Sequence, residues 1–153
     1  MLRRWIHSKH CLEHDRARVV IAVDTNVLAR YFLDDEGAEA MAASGLMARQ
    51  LIFVAKTVLL KLEWVLRGAA AQSRSAILKA LRHWTRLTPV TLEDRAEVLE
   101  VIEQYESGAD VADALHLAAA RDALGFATFD KKLQKRARAA DWLPPVLPPE
   151  SFG

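Results

Sequence analysis

Val19 to Val27 reads VVIAVDTNV: five apolar residues, β-branched in all but Ala22, run unbroken into Asp24, Thr25 and Asn26. An apolar run of this length predicts a strand buried on both faces, as in a parallel sheet. The polar trio that follows supplies N-cap chemistry for a helix carrying Leu28, Tyr31, Phe32 and Leu33. Asp24 thus stands where strand passes into helix. Open α/β sheets bind ligands in the crevice beyond the carboxyl ends of their strands, so a carboxylate placed there is a candidate site residue.

Outward from this stretch, strand and helix signals alternate. An alanine-rich helix is expected over Glu36 to Arg49, a strand over Leu51 to Val54, and a helix, TVLLKLEWVLRGAA, capped by Thr57. Ser73 opens another helix to about Trp84, and Leu87 to Val90 is a short extended piece that Pro89 marks as an edge or an end. Thr91 with Asp94 resembles a capping box and starts a helix to Tyr105, which Ser107-Gly108 breaks. Asp110 to Leu124 follows as a helix ended by Gly125, then a strand over Phe126 to Phe129 closed by Asp130, then a basic helix, KKLQKRAR, from Lys131. The alternation predicts an α/β fold, an α/β/α sandwich around a small parallel sheet with right-handed crossovers. One domain is expected over residues 19–143, preceded by an extension, 1–18, that is disordered or not native, and followed by a Pro-rich tail, 144–153.

At 153 residues the chain is long enough to bury about 68–70% of its unfolded surface in one core. Apolar residues at 52% and charged residues at 27% are ordinary for a globular protein. No apolar run is long enough to span a bilayer, and a single cysteine, Cys11, rules out an internal disulfide, so a cytoplasmic location is expected. The first 18 residues carry five basic and two acidic side chains, net +3, which leaves 16 basic against 18 acidic, net −2, for the rest. Any nucleic-acid contact by the main domain must then be local. His7, His10, Cys11 and His14 have spacings that would present zinc or nickel ligands on one helical face, but a disordered tail, or a translated leader upstream of the natural start, is the preferred reading.

Four acids stand out by position. Asp24 and Asp130 end two expected strands, and so point toward one edge of a parallel sheet. Glu63 lies in a helix with Val58, Leu59, Leu62, Val65 and Leu66 on one side and Leu60 and Trp64 on the other, which leaves it little solvated face. At 100° per residue Asp113 falls among Leu117, Ala120 and Leu124, whereas Asp122 falls away from them. Taken singly each has a plain explanation: helix capping for Asp24 and Asp130, exposure for Glu63, pairing with His116 or an arginine for Asp113. Taken together they need compensation, because two like charges roughly 4 Å apart at an effective dielectric near 20 repel by about 4 kcal/mol. Carboxylate oxygens suit Mg2+ or Mn2+, and an ion held by acids and water is the arrangement of metal-assisted phosphoryl chemistry.

The segments VIAVDTNVLARYF, TVLLKLEWVLRG, ADVADALHLAAAR and ATFDKKL resemble, in order and spacing, the PIN-domain ribonucleases, most closely the VapC-like toxins of toxin-antitoxin modules. The resemblance runs from about Val20 to Asp141. It implies that Asp24, Glu63, Asp113 and Asp130 are the catalytic, metal-binding acids, supported by Thr25 or Asn26 and by Thr128. It implies hydrolysis of RNA with Mg2+ or Mn2+, a homodimer, and silencing by a small antitoxin whose C-terminal segment enters the groove. The extension before Val19 is not part of the family pattern. Asp110, one helical turn before Asp113, is either an auxiliary acid or the helix N-cap.

Lys131, Lys132 and Lys135, with Arg136 and Arg138, follow Asp130 closely enough to hold RNA phosphates, and Arg67 is placed for RNA or for an antitoxin carboxylate. Trp64 and Trp84 offer base stacking or core and dimer packing. The alternative to a nuclease is a catalytically silent PIN-like module that binds RNA or protein. A phosphatase of the haloacid-dehalogenase type would need an aspartate where Asn26 stands.

Overall fold

The computed structural model describes residues 20–33 and 36–153. The expected extension, with its histidines and Cys11, lies outside the described residues. Three strands, β1 (Val20–Ala22), β2 (Leu51–Val54) and β3 (Val90–Leu92), form a parallel sheet in that order, with Ile21 opposite Ile52 and Phe53 opposite Thr91. Seven helices are described: α1 (Thr25–Leu33), α2 (Ala38–Arg49), α3 (Lys56–Gly68), α4 (Arg74–Arg86), α5 (Arg95–Glu106), α6 (Val111–Ala119) and α7 (Lys131–Ala139). Two further strands, β4 (Phe126–Ala127) and β5 (Val146–Leu147), pair in parallel with each other. This is the expected α/β class with a small parallel sheet, consistent with an α/β/α sandwich.

The main core joins Ile52 and Val54 of β2 to Leu28, Leu62, Leu66, Ile77, Trp84 and Tyr105 from the helices around them. A smaller cluster, Leu117, Leu133, Ala137 and Val146, seals α6, α7 and β5 together. Residues 144–153 therefore carry β5 and, at Pro149–Phe152, a short 3-10 turn. No described helix is long and apolar enough to cross a membrane.

Several boundaries differ from expectation, each for a local reason. The first strand is not buried on both faces: Val20 and Ala22, two residues apart and so on one face, are exposed, and among the described residues β1 pairs with β2 alone. β4 does not extend that sheet, so Asp24 and Asp130 follow strands of two different sheets. Thr57 is not the cap of α3. The helix begins at Lys56, whose backbone N–H donates to Glu93 Oε2 at 3.0 Å. Thr91 lies within β3, and the cap of α5 is Asp94, whose side chain accepts from the Glu97 N–H. The helix from Asp110 stops at Ala119 rather than Leu124, and Leu124 is 99% exposed, so no burial rewards another turn. Gly125 is not the helix cap. A Cβ there would lie 2.5 Å from the Phe152 ring, so the glycine permits the chain's end to close over β4.

Candidate active site

Each candidate acid is fixed by the element that carries it. Asp24 follows β1, and its Oδ1 accepts the Val27 N–H at 3.1 Å, which satisfies a free amide at the start of α1. Thr25 is buried and its hydroxyl donates to the Val58 carbonyl at 3.4 Å, tying the start of α1 to α3; Asn26 is exposed. Asp110 is the N-cap of α6, with Oδ1 accepting from the Ala112 N–H at 2.8 Å. Asp113 sits in the first turn of the same helix, partly buried. Asp130 caps α7, Oδ1 accepting from the N–H groups of Lys132 at 2.8 Å and Leu133 at 3.0 Å. Thr128 supports that turn: its hydroxyl accepts from the Asp130 N–H at 3.1 Å, and its carbonyl from Gln134 Nε2 at 2.7 Å.

Glu63 is the most constrained. It is 2% exposed, and its Oε1 lies 3.2 Å from Arg67 Nε, one turn further along α3. Nη1 of the same guanidinium lies 3.8 Å from Asp110 Oδ2, so Arg67 bridges α3 to the start of α6. Tyr105, itself buried, lies close enough to Glu63 for each to bear on the other's ionisation. Arg74 lies 3.8 Å over the Tyr105 ring and donates to the carbonyls of Tyr105 and Ala109. Burial raises the Glu63 pKa, Arg67 opposes the rise, and the charge of Asp110 adds to it.

The other shifts trace one connected field. Burial raises the pKa of Asp113, and the charges of Asp110 and Asp130 raise it further. Asp130 is held below the usual carboxylate range by the two backbone N–H groups that it accepts from. Burial and the neighbouring Glu63 charge push the Tyr105 phenol up. The charge of Asp110 thus acts on both Glu63 and Asp113, and that of Asp130 on Asp113, while Asp24 is hydrogen-bonded to the start of its own helix.

Among the described residues no three acid, histidine or cysteine side chains converge closely enough to hold one ion. The donor chemistry nonetheless suits a hard cation. Oxygen is the donor atom throughout, and burial raises the pKa of both Glu63 and Asp113, with Arg67 the main counter-charge at Glu63. Glu63, Arg67, Asp110 and Trp64 line a cleft of about 330 Å3. Lys131, Lys135, Arg138 and Phe129 line another of about 340 Å3. Two roomier clefts, of about 710 and 800 Å3, contain none of the four acids.

Tyr105 and Arg74 escaped the sequence reading. The usable signal was a tyrosine on the apolar stripe of α5 with Val98, Val101 and Ile102, since a buried phenol needs a polar partner. Trp84 is fully buried in the core, which removes it from base stacking, whereas Trp64 is exposed. The model of the family described as PIN domain matches residues 21–139. No curated protein and no solved structure matches the chain.

Proposed function

The chain belongs to the PIN-domain family, and on that premise we propose that it is a Mg2+- or Mn2+-dependent endoribonuclease, the toxin of a toxin-antitoxin pair. PIN domains are generally metal-dependent nucleases. The observation that supports the reading best is the buried Glu63 carboxylate with Asp110 near it, Asp110 and Asp130 in turn acting on the partly buried Asp113. A protein gains no stability from such a grouping, and its natural use is to hold a cation.

In this reading Asp24, Glu63, Asp113 and Asp130 would hold the ion, Thr25, Asn26 and Thr128 would fix the loops that present them, and Asp110, the N-cap of α6, would be an auxiliary acid. When bound, the ion lowers the pKa of water and stabilises charge on the scissile phosphate. Tyr105 and Arg67 hold the Glu63 carboxylate in one orientation. Lys131, Lys132 and Lys135 are exposed on α7 and take RNA phosphates. No side chain is required as a covalent nucleophile.

The partner is a small antitoxin whose acidic C-terminal group reaches Arg67, and the active assembly is a homodimer. Purified protein is expected to cleave RNA with Mg2+ or Mn2+ and to stop when EDTA is added. Cleavage undiminished by EDTA contradicts the metal mechanism. Expression is expected to arrest growth unless a short adjacent reading frame is co-expressed. Absence of any such neighbour or arrest would leave a nuclease without the toxin role.

A further inference from the structure

Two large aromatic side chains that follow or precede a candidate acid in the chain stand open to solvent. Trp64, next in the chain to Glu63, is 65% exposed, and Phe129, next to Asp130, is 82% exposed. The fold has no difficulty burying such rings, since Trp84 and Tyr105 are fully enclosed. Trp64 shares its cleft with Lys61 and Arg67, and Phe129 shares the other with Lys131, Lys135 and Arg138, opposed by the one carboxylate of Glu150.

Glu63 and Asp110 line the first cleft, where Arg67 pairs with both and Lys61 stands beside them, and Asp130 caps α7, the helix that lines the second. Each cleft therefore offers an open ring with cations beside it. That combination suits unpaired nucleotides, whose base faces stack on the ring while lysine and arginine hold the phosphates. In a duplex those base faces are already stacked on their neighbours.

We infer that Trp64 and Phe129 are base-stacking platforms that grip unpaired nucleotides on either side of the acidic centre. The inference rests on the nuclease reading for its ligand. A second copy of the chain is the less suitable occupant of the second cleft, because an isologous contact there would bring Lys131, Lys135 and Arg138 against their own counterparts with Glu150 as the one opposing charge.

The test uses wild-type protein in EDTA, so that binding is read without turnover. Anisotropy of an end-labelled oligoribonucleotide of about ten unpaired nucleotides is compared with that of the same strand annealed to its complement. Trp64→Ala and Phe129→Ala are each expected to weaken single-strand binding by roughly 5- to 150-fold, while Trp64→Phe and Phe129→Trp stay within about threefold of wild type. Both side chains are exposed, so melting temperature is expected to stay unchanged; should an alanine variant melt early, Trp64→Leu and Phe129→Leu take its place. Equal binding by alanine and aromatic variants overturns the inference. So does loss of self-association in sedimentation with RNA binding intact, which would assign these faces to a second copy. A wild type that never cleaves RNA but shows this binding pattern loses the nuclease reading and keeps the platforms. Cleavage with binding indifferent to both rings does the reverse.

Discussion

Replacing Arg67 with alanine removes the cation nearest to a carboxylate that is almost wholly buried. At the observed 3.2 Å the Coulomb attraction at an effective dielectric of 20 is about 5 kcal/mol. The guanidinium is 54% exposed, so solvent screens it, and the net loss lies between the near-zero value of surface pairs and the 3–5 kcal/mol of fully buried ones, at about 2 kcal/mol. For a chain of this size that corresponds to a fall in Tm of roughly 4–8 °C.

The pH dependence of this loss has a definite sign. The folded pKa of Glu63 is raised above its unfolded value, so the folded state holds the proton more tightly. The group's contribution to stability therefore declines as pH rises through the interval between the two values. Without Arg67 the folded pKa rises further. Arg67→Ala is then expected to cost little at about pH 4, where Glu63 is largely protonated in either state, and its full amount at about pH 8. Thermal melts of wild type, Arg67→Ala, Glu63→Gln and the double variant, all in EDTA, complete the cycle. In the Glu63→Gln background Arg67→Ala is expected to cost no more than about 0.5 kcal/mol. An equal loss in both backgrounds, or one independent of pH, refutes the assignment of Arg67 as the counter-charge of Glu63.

Millimolar Mg2+ or Mn2+ is expected to raise Tm, by about 2.7 kcal/mol of stabilisation at a hundredfold excess over Kd, and the absence of any shift in melts with and without EDTA would argue against a preformed site. Asp113→Asn is expected to raise the Tm of metal-free protein at neutral pH, because it relieves the repulsion from Asp110 and Asp130, and to abolish the shift with metal; unchanged melting in both conditions would contradict the coupling. Asp130→Ala is expected to lower Tm through loss of two backbone contacts, with Asp130→Asn, which still caps, falling between it and wild type. Because the folded pKa of Asp130 is depressed, its contribution is present above the unfolded value and lost as pH falls through the folded one, so melts on the acid side separate wild type from Asp130→Asn least.

The residues that carry local chemistry were legible in the sequence. Leu51–Val54 is the predicted strand to the residue, and Ser73, Asp110 and Asp130 cap helices as their side chains suggest. The inward face of Glu63 also followed from the apolar residues around it on α3. Tertiary relations did not follow. A β-branched run reads alike at the edge or centre of a sheet, so the exposure of Val20 and Ala22 had no signal. The pairing of β4 with β5 depends on a strand 20 residues downstream among prolines, a composition that points away from a strand. The bridge from Arg67 to Asp110, and the approach of Tyr105 to Glu63, depend on how α5 and α6 pack against α3. Sequence spacing alone does not encode that packing.

The central claim, that these acids hold a metal for RNA hydrolysis, is tested most directly by cleavage of a labelled RNA with Mn2+ or Mg2+. Wild type is compared with Asp24→Asn and Glu63→Gln at matched folded fractions. Cleavage is expected from wild type, with none from either variant and none from wild type in EDTA. Equal cleavage by wild type and both variants would contradict the claim.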